Sequence, residues 1–253
     1  MSEGVLDRAI AGARALARRG IVLAARLPPA RRALLAVHRR LNRDNPMMRT
    51  HPLDLRYGVD TSGFAPSALL GGGGTAYASC QPSTLRRAME VLPDTAERTF
   101  VDLGSGKGRA LVVASEFPFR QLVGLELDPE LARVAGANAD VIARAYPERP
   151  RMRILVEDAT SAALPSGDLV VFLYNPFGEE LVAQAMANVR RAMDREPREV
   201  HVVYDNAAHE GAVDRAGFER CHDEVVPLAP EEVGYSPWTE FRLVIWRGST
   251  REA

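Results

Sequence analysis

Residues 99–138, TFVDLGSGKGRALVVASEFPFRQLVGLELDPELARVAGAN, decide the fold. The run Phe100–Leu103 predicts the end of a buried strand, and Gly104–Gly108 predicts a turn whose glycines take positive φ and let a ligand approach the backbone. Helical spacing follows over residues 109–116, and a second apolar strand over Leu122–Leu125 is closed by an acid. Strand, glycine turn, helix, strand and terminal acid predict the first unit of a nucleotide-binding α/β sheet.

The charges around the turn indicate which ligand it binds. Asp102 stands two residues before the first glycine, where it would repel the pyrophosphate of a dinucleotide but suit a ligand with a cationic end. Glu126, at the tip of the next strand, can accept two hydrogen bonds from a vicinal diol. The glycine spacing is G-x-G-x-G rather than the G-x-G-x-x-G of nicotinamide-binding folds.

The spacing D-x-G-x-G-x-G, followed by an acid closing the next strand, resembles the class I methyltransferases that use S-adenosylmethionine. That cofactor carries an ammonium and a sulfonium, and its ribose offers the diol. The alternatives are a bare tight turn with two surface acids and a nicotinamide-dependent oxidoreductase. The resemblance implies these cofactor-binding residues: Tyr77, Asp102, Gly104, Ser105, Gly106, Gly108, Glu126, Leu127, Asp158, Ala159 and Asn175.

Further strands and helices alternate along the chain after Glu126. Apolar patterning predicts strands over residues 152–156, 168–174 and 199–204, and the second of these, the most apolar, is the expected central strand. A final antiparallel hairpin over residues 218–226 and 240–246 is what the resemblance implies. The expected fold class is α/β: a doubly wound, mostly parallel seven-stranded sheet with a C-terminal antiparallel hairpin, preceded by an N-terminal helical arm.

Two domains are expected. Residues 1–75 would form a basic helical arm and a flexible glycine-containing segment, and residues 76–253 the methyltransferase domain. Residues 1–50 hold eleven arginines against three acids, so the arm carries about +8 and the remainder about −9. The arm has no aromatic residues for base stacking, so a nucleic-acid partner is not favoured. Residues 49–74, with four consecutive glycines, are placed to act as a mobile lid.

Three further cofactor contacts follow from the resemblance. Asp158, after the third strand, would accept from the adenine amine, while the backbone N–H of Ala159 faces the ring. The alternative role of Asp158 is that of a loop acid that caps the next turn. Tyr77 precedes a proline-led helix, as in some protein-lysine methyltransferases, which makes it a candidate cofactor contact.

Asn175-Pro176-Phe177, at the end of the central strand, resembles a shortened form of the Asn/Asp-Pro-Pro-Tyr/Phe signature of amino-group methyltransferases. The resemblance implies that the Asn175 side chain and the Pro176 carbonyl accept from a substrate N–H, while Phe177 packs on the substrate or the methyl donor. A strand-ending Asn-Pro is also an ordinary turn. His209 is the one visible candidate for a general base, its alternative being a solvated loop histidine.

The leading hypothesis is methyl transfer from S-adenosylmethionine to an amine on a protein side chain or a small molecule. The alternatives are a non-catalytic S-adenosylmethionine-binding module and methyl transfer to the oxygen of a small metabolite. No metal is indicated, and Cys80 and Cys221 have neither metal-ligand nor disulfide spacing. The absence of a membrane span and of a signal-peptide layout leads us to expect a cytoplasmic protein.

Overall fold

The computed structural model describes residues 20–25, 27–70, 76–175, 177–196 and 198–250. Seven strands lie in this part of the chain: β1 (Thr99–Leu103), β2 (Gln121–Leu125), β3 (Met152–Leu155), β4 (Leu169–Leu173), β5 (Glu199–Asp205), β6 (Glu219–Pro227) and β7 (Glu240–Ser249). Seven bounded α-helices accompany them: α1 (Pro28–Leu41), α2 (Pro52–Tyr57), α3 (Pro82–Val91), α4 (Arg109–Ala114), α5 (Pro129–Ala145), α6 (Glu179–Arg195) and α7 (Glu210–Arg215).

All seven strands form one sheet in the order β3-β2-β1-β4-β5-β7-β6. Strands β1 to β5 run parallel, and β7 pairs antiparallel with both β5 and β6. Strand β4 is the middle strand of the seven and every residue in it is buried, as its apolar sequence predicts. The predicted fold class is therefore confirmed.

Helices cover both faces of the sheet. One core layer packs α2, α3, α4 and α5 against side chains such as Phe100, Val170 and Val203. The other core layer packs α6 and α7 against the strand side chains on the opposite face of the sheet. Leu53 and Tyr57 belong to the first layer, so the core extends ahead of residue 76. The division of the chain into 1–75 and 76–253 stays a prediction.

The arm preceding the sheet is described in part. Helix α1 begins at the Pro28-Pro29 pair, and Arg31 forms an ion pair of 2.6 Å with Asp128 at the start of α5. Residues 1–19 and 26 of the predicted arm, and the glycine segment 71–75, lie outside the described residues. Among the described helices, none is both long and apolar enough to cross a membrane.

Candidate functional site

The glycine turn has the backbone geometry that its sequence predicts. Gly104, Gly106 and Gly108 have φ values of 83°, 55° and 83°, a region that favours glycine. The N–H groups of Gly104 and Ser105 both donate to the carbonyl oxygen of Leu125, at 2.9 and 3.0 Å. These bonds fix the turn against the end of β2, and Gly108 leads directly into α4.

Asp102 lies buried near the end of β1, beside the turn, with 3% of its surface exposed. Burial raises the pKa of its carboxyl well above the usual value, and the nearby carboxylate of Glu126 raises it further. No hydrogen bond or ion pair of the described residues offsets these two effects. A buried carboxylate without a hydrogen-bond or ion-pair partner is stabilised when a ligand binds with its cationic group beside it.

Glu126 lies at the end of the next strand and is also largely buried. Its two oxygens accept backbone N–H groups, one from Gly106 at 2.7 Å and one from Asp128 at 2.8 Å. Burial raises its pKa, and these N–H groups limit the rise. Since each carboxylate oxygen has two lone pairs, Glu126 retains capacity to accept from a ligand.

Residues 51–63, which we call the strap, lie against the glycine turn. Lys107, in the turn, donates from Nζ to the Asp60 carboxylate and to the Ser62 carbonyl, both at 2.7 Å. Asn138 of α5 donates to the Asp60 carbonyl at 2.8 Å and to the Lys107 carbonyl at 2.9 Å. The segment predicted to act as a lid is therefore bonded to the turn in this structure.

Arg109 makes the second connection between strap and turn. Its buried guanidinium donates to the Thr61 hydroxyl at 2.7 Å, the Ser62 hydroxyl at 3.2 Å and the Cys80 carbonyl at 3.3 Å. Asp54, also buried, accepts from the N–H groups of Thr61 and Ser62 at 3.0 and 2.8 Å. The guanidinium of Arg109 and the carboxylate of Asp54 thus both bond to Thr61 and Ser62.

We expect Arg109→Met to lower the free energy of unfolding by about 3 kcal/mol, because it removes three hydrogen bonds that a buried guanidinium donates. Urea unfolding of the variant measures this loss. The matched control is Arg133→Met on the exposed surface of α5, where the lost pair with Glu130 is worth about 0.5 kcal/mol or less. Equal losses in the two variants would contradict the strap assignment.

Tyr77 packs its ring against the glycine turn. A Cβ placed on Gly106 would lie 2.5 Å from Cε2 of that ring. The Tyr77 hydroxyl donates to the carbonyl of Thr61 at 2.7 Å, which joins it to the strap. The residue therefore lies at the site, and its predicted contact with a cofactor stays a prediction.

Two exposed apolar residues border the predicted adenine position. Leu127 and Val156, just past the ends of β2 and β3, are 54% and 56% exposed. Beside them Asp158 caps a turn, accepting from the Thr160 N–H and hydroxyl, both at 2.8 Å, and Ala159 is buried. Asp158 thus performs the capping role weighed as its alternative, and its adenine contact stays a prediction.

Asn175 lies two residues past the end of β4 and has a φ of 42°, a left-handed conformation that asparagine tolerates. Its side-chain oxygen accepts from the Ala208 N–H at 3.3 Å, and a carbonyl oxygen can accept a second bond. Phe177 is half-buried against the core layer under α6 and α7. Pro176 lies outside the described residues. Their substrate-orienting roles, and that of His209 just before α7, stay predictions.

Sequence reasoning missed Val156, the strap contacts of Lys107 and Arg109, and Asp205 at the end of β5. Asp205 has the same signal that identified Asp102 and Glu126, an acid at or near the C-terminal end of an apolar strand. The strap contacts have no comparable local signal, because Lys107 and Asp60 are 47 residues apart.

Similar solved structures exist for this chain. They include an S-adenosylmethionine dependent methyltransferase from Mesorhizobium loti (19% identity, 64% of this chain and 95% of that one, TM-score 0.45). The cyclase SpnF (15%, 66% and 80%, TM-score 0.49) and the YcgJ protein of Bacillus subtilis (13%, 67% and 99%, TM-score 0.46) are also similar.

No protein-family profile and no curated protein matches the chain. Fold similarity at such identities leaves the reaction open. Five parallel strands followed by an antiparallel pair are nevertheless what the resemblance to class I methyltransferases implies, and this chain has that sheet.

Proposed function

We propose that this protein is an S-adenosylmethionine-dependent methyltransferase that acts on an amine. The observation that carries the proposal is Asp102, a buried carboxylate beside three positive-φ glycines that lacks a counter-charge among the described residues. An ammonium group supplies that counter-charge. A dinucleotide pyrophosphate would instead bring two negative charges to an acid.

The remaining residues of the site fit the same cofactor. Glu126 retains lone pairs for the two hydroxyls of a ribose. Leu127 and Val156 offer exposed apolar surface for a flat ring, next to the carboxylate of Asp158. When bound, the cofactor supplies a methyl group already activated by its cationic sulfur, so the protein has mainly to position the acceptor.

Asn175 is the residue we assign to positioning. Its side-chain oxygen lies at the C-terminal end of the central strand. It can accept a hydrogen bond from the N–H of the substrate amine and direct the nitrogen lone pair toward the methyl group. Its left-handed backbone is the kind of sparsely populated conformation that occurs at functional sites. An amine is therefore favoured over an alcohol, which would need a base at this point.

Calorimetric titration with S-adenosylmethionine, S-adenosylhomocysteine and NAD, run in parallel, tests the proposal. We expect affinities in the micromolar range for the two adenosyl ligands and no heat with NAD, because only the former bring an ammonium to Asp102. Heat with NAD alone would replace the proposal with a dinucleotide function. Silence of both adenosyl ligands would refute it.

A further inference from the structure

Asp205, the last residue of β5, is buried without a partner. It has no exposed surface, and neither of its carboxylate oxygens has a hydrogen-bond partner among the described residues. Burial and the nearby Glu232 raise its pKa well above the usual value. Since buried polar groups are almost always hydrogen-bonded, a carboxylate in this condition requires an explanation.

The position of Asp205 places it beside the proposed methyl-transfer site. Phe172 of β4 pairs with Val203 of β5, and both side chains belong to the core layer under α3 and α4. Two residues further along the chain, Tyr174 lies one residue past β4 and packs against the same core layer, and Asp205 ends β5 close enough for its charge to raise the pKa of Tyr174. Asp102 pairs with Phe172 and therefore lies on this face too, two residues before the level of Tyr174. Buried Asp205 thus lies close to the strand end that carries Asn175.

The charges around Asp205 are predominantly negative. Glu232, in the loop between β6 and β7, is buried and accepts from the N–H and hydroxyl of Ser83. Burial, followed by the charge of Asp205, raises the pKa of the Cys80 thiol. Two cations lie near this cluster, and both are engaged: Arg109 by strap hydroxyls and the Cys80 carbonyl, and Arg86, which acts on Glu232, by the Glu116 carboxylate. The surroundings therefore favour a cationic ligand.

A row of aromatic rings runs from Asp205 to the surface. The ring centroids of Tyr174 and Phe241 are 6.1 Å apart, and those of Phe241 and Trp238 are 6.0 Å apart. Trp238 is 53% exposed, so the row ends in solvent. Aromatic faces attract organic cations, and they also cover the carbon chain that such a cation carries.

These observations together select one class of ligand. An anion would be repelled, and a neutral alcohol would leave the carboxylate without a counter-charge. The described residues hold no group of three or more His, Cys, Asp or Glu suited to a metal ion, so an organic cation is favoured. We propose that Asp205 binds the ammonium form of the methyl acceptor and takes up the proton that this nitrogen must lose before methylation, with Tyr174, Phe241 and Trp238 alongside the carbon chain of the acceptor. This assignment rests on the proposed function.

Residues 228–239, the loop between β6 and β7, cover the proposed acceptor site. Glu232 ties the loop to the start of α3, and the Gly234 carbonyl accepts from Arg49 at 3.0 Å. An acceptor therefore reaches Asp205 only when this loop moves. Trp238, the exposed end of the aromatic row, lies in the same loop.

The test uses n-butylammonium chloride as the probe and follows the thermal unfolding midpoint, with 1-butanol and sodium chloride as matched controls. We expect millimolar n-butylammonium to raise the midpoint of the wild type and the controls to leave it unchanged, because only the probe joins a cation to an apolar chain. No response to n-butylammonium, or an equal response to 1-butanol, would overturn the inference.

Two variants locate the binding. Asp205→Asn should lower the affinity for n-butylammonium roughly tenfold or more, because it removes the charge while keeping the shape of the side chain. The midpoint should then rise at correspondingly higher concentrations of the probe. Trp238→Ala, at a half-exposed position, should weaken the binding as well, with a small loss of stability from the lost ring contact with Phe241. An undiminished response in both variants would place the cation elsewhere.

A ligand-free measurement tests whether Asp205 is a buried charge. The raised pKa of Asp205 means that the folded state holds its proton more tightly than the unfolded chain, so this residue costs stability as pH rises. Asp205→Asn should therefore unfold a few degrees higher than wild type at pH 8, with the difference shrinking toward pH 5. The facing groups are Cys80 and Tyr174, whose own pKa values are raised, and Glu232. A difference independent of pH would contradict a buried charge.

S-adenosylhomocysteine binding, measured on the same samples, separates the two proposals. If the wild type binds S-adenosylhomocysteine but not n-butylammonium, only the acceptor assignment fails. If it binds n-butylammonium but no adenosyl ligand, the cation site stands and the proposed methyl transfer fails. Asp205→Asn should keep the wild-type affinity for S-adenosylhomocysteine, since the residue belongs to the acceptor side.

Discussion

Replacing Asp102 with asparagine should weaken the binding of S-adenosylmethionine and S-adenosylhomocysteine by about a hundredfold, close to 3 kcal/mol. Both ligands carry the ammonium for which Asp102 is the proposed counter-charge, so both should lose affinity equally. The fold should persist, because the substitution removes a buried charge that has no partner among the described residues. Calorimetry gives the affinities, and urea unfolding gives the stability.

Two controls make the Asp102 experiment specific. Methylthioadenosine keeps the adenosine and the thioether but lacks the ammonium, so its affinity should be the same for wild type and Asp102→Asn. Asp194→Asn, at an exposed position of α6, removes one negative charge away from the site and should change no affinity. A loss confined to S-adenosylmethionine would assign Asp102 to the sulfonium. Unchanged affinity for all three ligands would remove it from the site.

Gly106→Ala should destabilise the protein by about 3 kcal/mol or more and abolish binding of adenosyl ligands. The new Cβ would lie 2.5 Å from the Tyr77 ring, which is held through its hydroxyl and cannot easily turn away. The φ of 55° adds about 1 kcal/mol of backbone strain for alanine. Urea unfolding and calorimetry measure the two effects.

Substitutions at two other glycines separate the steric contact with Tyr77 from the backbone strain. Gly217 has a φ of 79° and open space around its Cα, so Gly217→Ala should show backbone strain alone, about 1 kcal/mol. Gly136→Ala, in α5 with open space, should be neutral or stabilising by up to about 1 kcal/mol. If Gly106→Ala cost no more than Gly217→Ala, the close contact with Tyr77 would be unimportant.

The sheet was predictable because its signals are local. The apolar run of β4, the glycines after β1 and the Asp128-Pro129 start of α5 each specify their own conformation, and the structure confirms all three. Helix α4 ends two residues before its predicted limit of Glu116. The Glu116 side chain accepts from Tyr57 and Arg86, both distant in sequence, so its environment is set by partners that local periodicity does not reveal.

The same distinction applies to the candidate site. Asp102 and Glu126 are found by their positions relative to strand ends, which the sequence displays. The significance of Asp205 depends on burial beneath a loop that contributes Glu232, and burial of a charge is decided by packing between distant segments. The strap could not be predicted for the same reason, since Arg109 and Thr61 are 48 residues apart.

Lys107 is the only lysine in the chain, and its amine is bound to the strap. An amine-directed acylating reagent therefore has two kinds of target in this protein, the terminal amine and one nitrogen that is nearly inaccessible. Modification of that nitrogen requires its two hydrogen bonds to the strap to break, as they do when the strap leaves the turn. The rate of acylation at Lys107, read by mass spectrometry, is thus a built-in measure of how often the site opens, obtained without adding any label.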